Sequence, residues 1–230
     1  TGTSMAPPAA DAASPVNAMT VDVEDYFQVS AFEKHVAPAE WDAKEPRVDR
    51  NVMRILELFA RHDVKATFFV LGWVAQRLPK MVREIASAGH EIASHGFNHT
   101  RVTQQERDAF RADVTATKRL LEDTVGAEII GYRAATYSIT EDNLWALDVL
   151  AETGHRYSSS IYPIKHDLYG IPAAPRFRFQ VGASKLTEVP ITTVAMFGRN
   201  WPAGGGGYFR LFPYALSRWA LRRVNEAERQ

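Results

Sequence analysis

The chain contains no cysteine in its 230 residues. It therefore has no disulfide, no thiolate metal ligand and no thiol nucleophile. Its stability must come from packing, with a bound metal as the further source that its composition permits. The absence of cysteine suits a reducing cytosol and is also allowed in exported proteins, so it does not identify the compartment.

An excess of charge is also lacking, since Lys+Arg and Asp+Glu both number 27. A balanced chain exerts no long-range attraction on nucleic acid or on an anionic membrane. The apolar runs are shorter than the ~18 to 20 residues that a membrane helix needs. We therefore expect no nucleic-acid partner and no membrane span.

The N-terminal residues 1–17 are rich in Ala, Pro and Ser, and they lack the basic start and the apolar run of a signal peptide. We predict a disordered leader there and a cytoplasmic location, with the periplasm as the alternative. The remaining residues 18–230 suit one α/β domain by length. The sequence gives no indication of the oligomeric state.

Short apolar segments alternate with amphipathic ones along the chain. This alternation predicts a parallel α/β sheet or barrel, because parallel strands need crossover connections. Strands are predicted at residues 18–23, 66–71, 90–94, 128–132, 157–161 and 186–189. Helices are predicted at residues 49–61, 73–88, 103–123, 141–152 and 213–228, and a glycine loop at 204–207.

Polar residues follow three of the predicted strands, at 22–25, at 95–99 and at Arg133. In α/β barrels the loops at the carboxyl ends of the strands build the active site. Three polar clusters at such positions indicate an enzyme.

His95 and His99 lie four residues apart after an apolar strand, so a coiled loop can turn both rings toward one cation. Taken alone, the pair can equally be two loop histidines bonded to backbone. The nearby acids Asp22, Glu24 and Asp25 favour the metal site over the alternative. Three crowded carboxylates repel one another unless water or a cation compensates their charge. Two imidazoles and one carboxylate leave open coordination positions, as in catalytic sites, and a second carboxylate can act as general base.

Four segments together resemble the successive motifs of the polysaccharide deacetylases, the carbohydrate esterases (family 4) with a NodB-type domain. They are 20–27 (TVDVEDYF), 65–71 (KATFFVL), 89–99 (GHEIASHGFNH) and 131–138 (GYRAATYS). Two later segments, 154–171 and 188–213, resemble the branch that accompanies exopolysaccharide systems of the exosortase type. The resemblance runs from about residue 18 to the last residue.

The resemblance implies a distorted (β/α)7 barrel with one divalent cation, usually Zn²⁺, that removes N-acetyl groups from a bacterial polysaccharide. His95 and His99 match the metal histidines, Asp22 matches the catalytic base, and Arg133 matches the arginine that pairs with the base. Glu24 and Asp25 are alternative third ligands, since different branches of the family favour one or the other.

Two departures from the family pattern stand out. The usual Arg-x-Pro motif is Arg133-Ala134-Ala135 here, so we expect a looser loop. The late histidine motif that supplies the general acid is missing, which predicts a domain lacking its C-terminal part. His166, beside Asp167, is the best substitute acid, ahead of His155 and His35.

Substrate contacts are predicted at Tyr137 and Trp201, since aromatic rings near loops can stack on sugar faces. Two other functions remain open. One is an allantoinase-like cyclic amide hydrolase, although the motif residues Asp22, His95 and His99 favour deacetylation. The other is a catalytically weak carbohydrate-binding or scaffold protein of exopolysaccharide assembly, which the missing late histidine would favour.

Overall fold

A computed structural model describes residues 17–228, and all but the last residue of the predicted leader at 1–17 lies outside this range. Nine strands are present in the described part of the chain. They are β1 (Met19–Val23), β2 (Ala66–Val70), β3 (Glu91–Ser94), β4 (Gly131–Tyr132), β5 (Tyr157–Ser158), β6 (Phe179–Gln180), β7 (Thr187–Glu188), β8 (Thr193–Met196) and β9 (Arg199–Pro202).

Seven of these strands form one sheet in the order β1-β2-β3-β4-β5-β7-β6, and β8 and β9 form a separate hairpin. Neighbours in the large sheet are parallel, except that β6 runs antiparallel to β7. The α/β class and its mainly parallel sheet, predicted from the strand–helix alternation, are confirmed.

Seven α-helices accompany the strands within residues 17–228. They are α1 (Val48–Arg61), α2 (Gly72–Arg77), α3 (Pro79–Ser87), α4 (Arg107–Val125), α5 (Trp145–Glu152), α6 (Gly206–Leu211) and α7 (Tyr214–Glu228). Among them, no helix combines the length and the apolar character needed to cross a bilayer.

Helix α1 illustrates how the apolar pattern fixes the packing. Its buried residues Val48, Val52, Leu56 and Phe59 recur at helical spacing and therefore share one face. That face joins a core cluster that also contains Phe68 and other residues of β2. The helix thus packs on the sheet through this face.

The single helix predicted at residues 73–88 was wrong, because Pro79 divides it into α2 and α3. Leu78 leaves helical geometry (φ −125°, ψ 50°), and Pro79 takes the first position of α3. Proline has no N–H to donate and is tolerated only in the first turn of a helix. The break also makes α2 a short helix whose N-terminus lies at Gly72, next to the site.

The C-terminal third differs most from the sequence prediction. Neither β6 nor the β8–β9 hairpin was predicted, and Gly206 and Gly207 begin α6 instead of lying in a loop. The hairpin turns through Phe197 (φ 54°) and Gly198 (φ 69°). Two positive φ angles suit the right-handed twist of a two-residue hairpin, but phenylalanine gives no signal for such a turn.

Arg133 reveals that the large sheet is strongly curled. It follows β4, yet its guanidinium donates hydrogen bonds to Thr20 and Asp22 of β1. Two strands lie between β1 and β4, so in a flat sheet they would be about 14 Å apart, with side chains perpendicular to the sheet. The contact therefore requires the first four strands to curve around Arg133, as expected for a barrel-like fold.

Candidate active site

The candidate active site lies where several parallel strands end at their carboxyl side. Asp22 is the penultimate residue of β1, His95 directly follows β3, and Arg133 directly follows β4. Parallel strands present these ends at the same edge of the sheet, so the fold collects residues more than 100 positions apart in sequence.

Three side chains at this edge form a group that could hold a metal ion. One potential ligand atom each from Glu24, His95 and His99 lies within 4.8 Å of the others. His99 Nε2 and Glu24 Oε2 are 2.9 Å apart. Glu24 Oε2 is nevertheless buried without a hydrogen-bond partner among the described residues. A buried carboxylate oxygen without a donor, close to an imidazole nitrogen, fits a cation.

The orientation of His95 also fits metal binding. Its Nδ1 lies 2.8 Å from the backbone oxygen of Arg133, and the ring is almost fully buried. When Nδ1 carries the proton and donates to that oxygen, Nε2 keeps its lone pair for a cation. Burial lowers the pKa of His95, although Asp22 raises it in part, so the imidazole is held in the neutral form that metals require.

The loop between the two histidines is held from two sides. The backbone oxygens of Gly96 and Phe97 accept hydrogen bonds from Gly72 and Trp73, the first residues of α2. On the other side the Phe97 N–H donates to Asp113 Oδ1 of α4 (3.0 Å). Gly96 has φ 74°, a conformation that side chains rarely adopt, and a Cβ there would lie 3.1 Å from Asp113 Oδ2, so a substitution at this position would be strained. Asp113 was not predicted from the sequence.

Asp25, one of the two alternatives for the third ligand, lies outside the group. Its Oδ1 accepts the N–H of Tyr26, and its Oδ2 accepts the N–H groups of Arg47 and Val48. The carboxylate is buried and caps both the short helical turn at Tyr26–Gln28 and the start of α1. Its oxygens are therefore committed to backbone, and the geometry favours Glu24 as the ligand.

Asp22 forms an ion pair with Arg133, in which Arg133 Nη1 donates to Asp22 Oδ1 at 2.7 Å. Burial acts to raise the pKa of the Asp22 carboxyl, but the charge and the hydrogen bond of the Arg133 guanidinium oppose it, and the pKa is lowered. The carboxylate is thus kept ionised and can accept a proton.

The Arg133 guanidinium is fixed by neighbours that the sequence did not indicate. Its Nε donates to the backbone oxygen of Ser159 (3.0 Å) and its Nη2 to Ser159 Oγ (2.9 Å). Its Cζ lies 4.0 Å from the centre of the Phe69 ring. The only available signal was the run of three serines at 158–160, which is unusual at the end of a buried strand.

Tyr137 lies close to the pair, with the Arg133 Cζ 5.7 Å from the centre of its ring. Thr136 and Tyr137 both have positive φ angles, of 54° and 52°. Such strain in consecutive non-glycine residues often occurs at functional sites. The Tyr137 N–H donates to the backbone oxygen of Ala134.

His166 lies on an exposed loop at the edge of an aromatic cluster that includes Tyr137. Its ring stacks on Tyr169 at 3.9 Å, and Tyr169 contacts the edge of Tyr137 at 5.9 Å. The His166 Nδ1 accepts the N–H of Leu168. Nε2 is therefore the ring nitrogen that could donate a proton to another group. His155, by contrast, is buried against Tyr132.

Trp201 is not part of this arrangement. It lies on β9 and lines an apolar cleft of about 260 Å³ between the β8–β9 hairpin and helices α6 and α7. Among the described residues that line this cleft there is no predicted metal ligand, and neither Asp22 nor Arg133 is present. Its indole N–H donates to the backbone oxygen of Met196.

Two family profiles match the chain end to end from residue 34. The profile described as polysaccharide deacetylase matches residues 34–158, and a domain of unknown function, DUF3473, matches residues 159–230. Their boundary falls directly after β5, yet the large sheet continues across it, because β5 pairs with β7. Asp22 and Glu24 precede the first matched range, whereas His95, His99 and Arg133 lie inside it.

Curated relatives carry deacetylase names. A peptidoglycan-N-acetylglucosamine deacetylase from Bacillus cereus is 33% identical over 41% of this chain and 35% of its own length. A chitooligosaccharide deacetylase from Bradyrhizobium is 29% identical over 42% of each chain. The matched part of this chain therefore spans less than half of either relative.

Solved structures agree on the fold. A protein from Mycobacterium smegmatis described as a polysaccharide deacetylase has a TM-score of 0.59 at 28% identity, over 78% of this chain and 63% of that one. Puue allantoinase has a TM-score of 0.55 at 18% identity, over 76% of this chain and 61% of its own, a likeness of fold alone. Because the deacetylase profile covers more than half of the residues, the chain belongs to the polysaccharide deacetylase family.

Proposed function

We propose that this chain carries the active site of a metal-dependent N-deacetylase that hydrolyses N-acetyl groups on a bacterial polysaccharide. The observation that carries the proposal is the group formed by Glu24, His95 and His99, whose potential ligand atoms lie close together. Asp22, which is ion-paired with Arg133, is near enough to both histidines to interact with them electrostatically. A candidate ligand group beside an ionised carboxylate is the arrangement that metal-assisted hydrolysis needs.

Glu24, His95 and His99 would hold one divalent cation, and we propose Zn²⁺. Two neutral imidazoles and one carboxylate are a ligand set of catalytic zinc, which keeps further positions open. When bound, such a cation polarises a carbonyl group and lowers the pKa of water. Its ligand atoms are pre-arranged by the Arg133 backbone oxygen at His95 and by the held loop at residues 95–99.

The chain's own residues handle the protons. Asp22 takes a proton from the attacking water as the water oxygen adds to the acetyl carbon. Arg133 keeps the Asp22 carboxylate ionised and directs it through the 2.7 Å hydrogen bond. When the C–N bond breaks, acetate leaves and the sugar amine needs a proton, and we propose His166 as its donor.

The substrate class is proposed from the relatives, which are named for peptidoglycan N-acetylglucosamine and for chitooligosaccharide. We propose N-acetylglucosamine units of an exopolysaccharide or of a peptidoglycan-like polymer. Tyr137, beside Arg133, is the proposed sugar contact within the site, whereas Trp201 could contact only a more distant part of a polymer.

The first test measures acetate release from N-acetylglucosamine oligomers, together with zinc content, in the wild type and in His95→Ala. We expect about one zinc per chain and acetate release in the wild type, and loss of both in the variant. His62→Ala is the matched control, because His62 is exposed at the end of α1 and should leave both unchanged. Bound zinc without acetate release from any N-acetylated oligomer would contradict the deacetylase proposal and favour a binding or scaffold role.

A further inference from the structure

Glu188, on β7, is a completely buried acid that has no part in the proposed reaction. Its side chain is 0% exposed, and its Oε1 accepts the backbone N–H groups of Ser160 and Ile161, both at 2.8 Å. Its Oε2 has no hydrogen-bond partner among the described residues. A buried carboxyl group is expensive compared with an apolar side chain, so packing alone does not account for it.

The backbone that Glu188 holds is the same backbone that holds Arg133. Ser159 accepts two hydrogen bonds from the Arg133 guanidinium, one at its backbone oxygen and one at its Oγ. Ser160 Oγ accepts the N–H of Ala134, the residue after Arg133, and also accepts a hydrogen bond from Ser158. Ser159 therefore fixes the side chain of Arg133, and Ser160 fixes the backbone that follows it.

This connection does not depend on the charge of Glu188. Burial raises the pKa of the Glu188 carboxyl, while the two backbone N–H groups and the positive charge of Arg133 lower it in part. Oε1 can accept hydrogen bonds in the ionised acid and in the protonated one. The carboxyl group can thus hold residues 160 and 161 over a wide pH range.

We propose that Glu188 is a positioning residue of the hydrolytic site, which fixes segment 159–161 and so orients the Arg133 guanidinium on Asp22. The role of Asp22 and Arg133 in hydrolysis rests on the function proposed above. In the described hydrogen bonds Glu188 contacts neither Asp22 nor a candidate metal ligand. It is linked to the site by the hydrogen-bonded serine segment and by a direct charge interaction with Arg133, and Glu188→Gln keeps only the first of these links.

A double-mutant cycle on the zinc-loaded protein tests this route, with Glu188→Ala, Arg133→Ala and the pair measured on N-acetylglucosamine oligomers. We expect Glu188→Ala to lower kcat about tenfold with KM and zinc affinity unchanged, and Glu188→Gln, which keeps the acceptor oxygen, to restore most of it. The double variant should be no slower than Arg133→Ala, since both changes act through one guanidinium. If Glu188→Ala slows Arg133→Ala by the same factor as it slows the wild type, the proposal is wrong.

A second readout is independent of catalysis. The Arg133 Nε–H should appear in ¹⁵N NMR as a slowly exchanging signal, assigned by its loss in Arg133→Lys. We expect its exchange to be about tenfold faster in Glu188→Ala and unchanged in Glu188→Gln. Equal exchange in the alanine variant would overturn the proposal. If that variant does not fold, Glu188→Met, which removes the acceptor oxygen but fills most of the same space, replaces it with the same expectation in both experiments.

If the wild type releases no acetate while Arg133 exchange responds to Glu188 as expected, the proposed function fails and the positioning role stands. The positioning role alone fails if the wild type releases acetate, the effects of Glu188→Ala and Arg133→Ala on kcat are additive, and Glu188→Ala leaves the exchange of the Arg133 Nε–H unchanged.

Discussion

At the scale of single residues, Glu24 and Asp25 follow the same strand one residue apart, but their carboxylates have different surroundings. The structure separates them because Asp25 caps the turn at Tyr26–Gln28 and the start of α1, which is an interaction with backbone far along the chain. The contact with residues 47 and 48, more than 20 positions away, depends on the folded structure and could not be predicted from the sequence.

His155 gives a residue-scale prediction for stability against pH. Burial lowers its pKa from 6.5 to about 4, with Lys118 adding to the effect. In the unfolded chain the imidazole takes up its proton near pH 6.5, whereas in the folded chain it does so only near pH 4. The contribution of His155 to the free energy of unfolding is therefore fully present above pH 6.5. About 3 kcal/mol of it is lost as pH falls from 6.5 to 4.

We expect His155→Asn to remove most of this loss when the free energy of unfolding is measured by urea denaturation at several pH values between 4 and 7. His62→Asn, which changes an exposed histidine, should keep the wild-type dependence of the free energy of unfolding on pH. An unchanged pH dependence in His155→Asn would show that His155 is not held neutral in the folded protein.

At the scale of elements, strand–helix alternation predicted most of the large sheet, whereas the supports of the loop at 95–99 could not be predicted. Three short contacts hold that loop: two from the first residues of α2, which exists as a separate helix only because of Pro79, and one from Asp113. On the sequence, Asp113 is one of several acids on a polar helix. Its burial depends on how α4 packs on the loop, which only the folded structure determines.

The hydrogen bond from the Phe97 N–H to Asp113 leads to a prediction at the scale of elements. Asp113→Ala removes the acceptor of the Phe97 N–H and should weaken zinc binding about tenfold or more, because groups that orient metal ligands have effects of this size. Asp113→Asn retains an acceptor oxygen and should bind zinc nearly as the wild type does. Zinc affinity is measured by competition with a chelating dye, after circular dichroism has verified folding.

Asp108→Ala is the matched control for Asp113→Ala, since Asp108 is exposed in the first turn of the same helix. Wild-type affinity in Asp113→Ala would mean that the α2 contacts alone hold the loop.

At the scale of the whole molecule, the site depends on the curvature of the sheet. Asp22 and Arg133 are 111 positions apart in sequence and are joined because the first four strands curl around the guanidinium. The rule that active sites lie at the carboxyl ends of parallel strands predicted this meeting place. It could not predict the contribution of β5 and β7, since Ser159 and Glu188 belong to short segments with weak periodicity.

The central claim is that Glu24, His95 and His99 form one metal site in which Asp25 has only a structural role. Zinc titration by calorimetry of Glu24→Gln and Asp25→Asn tests it most directly. The account predicts one site per chain in the wild type, at least tenfold weaker binding in Glu24→Gln, and wild-type affinity in Asp25→Asn. Asp25→Asn should lose about 1 kcal/mol of stability, because asparagine keeps one acceptor oxygen and can maintain only one of the two caps. Zinc binding that is lost in Asp25→Asn and kept in Glu24→Gln would contradict it.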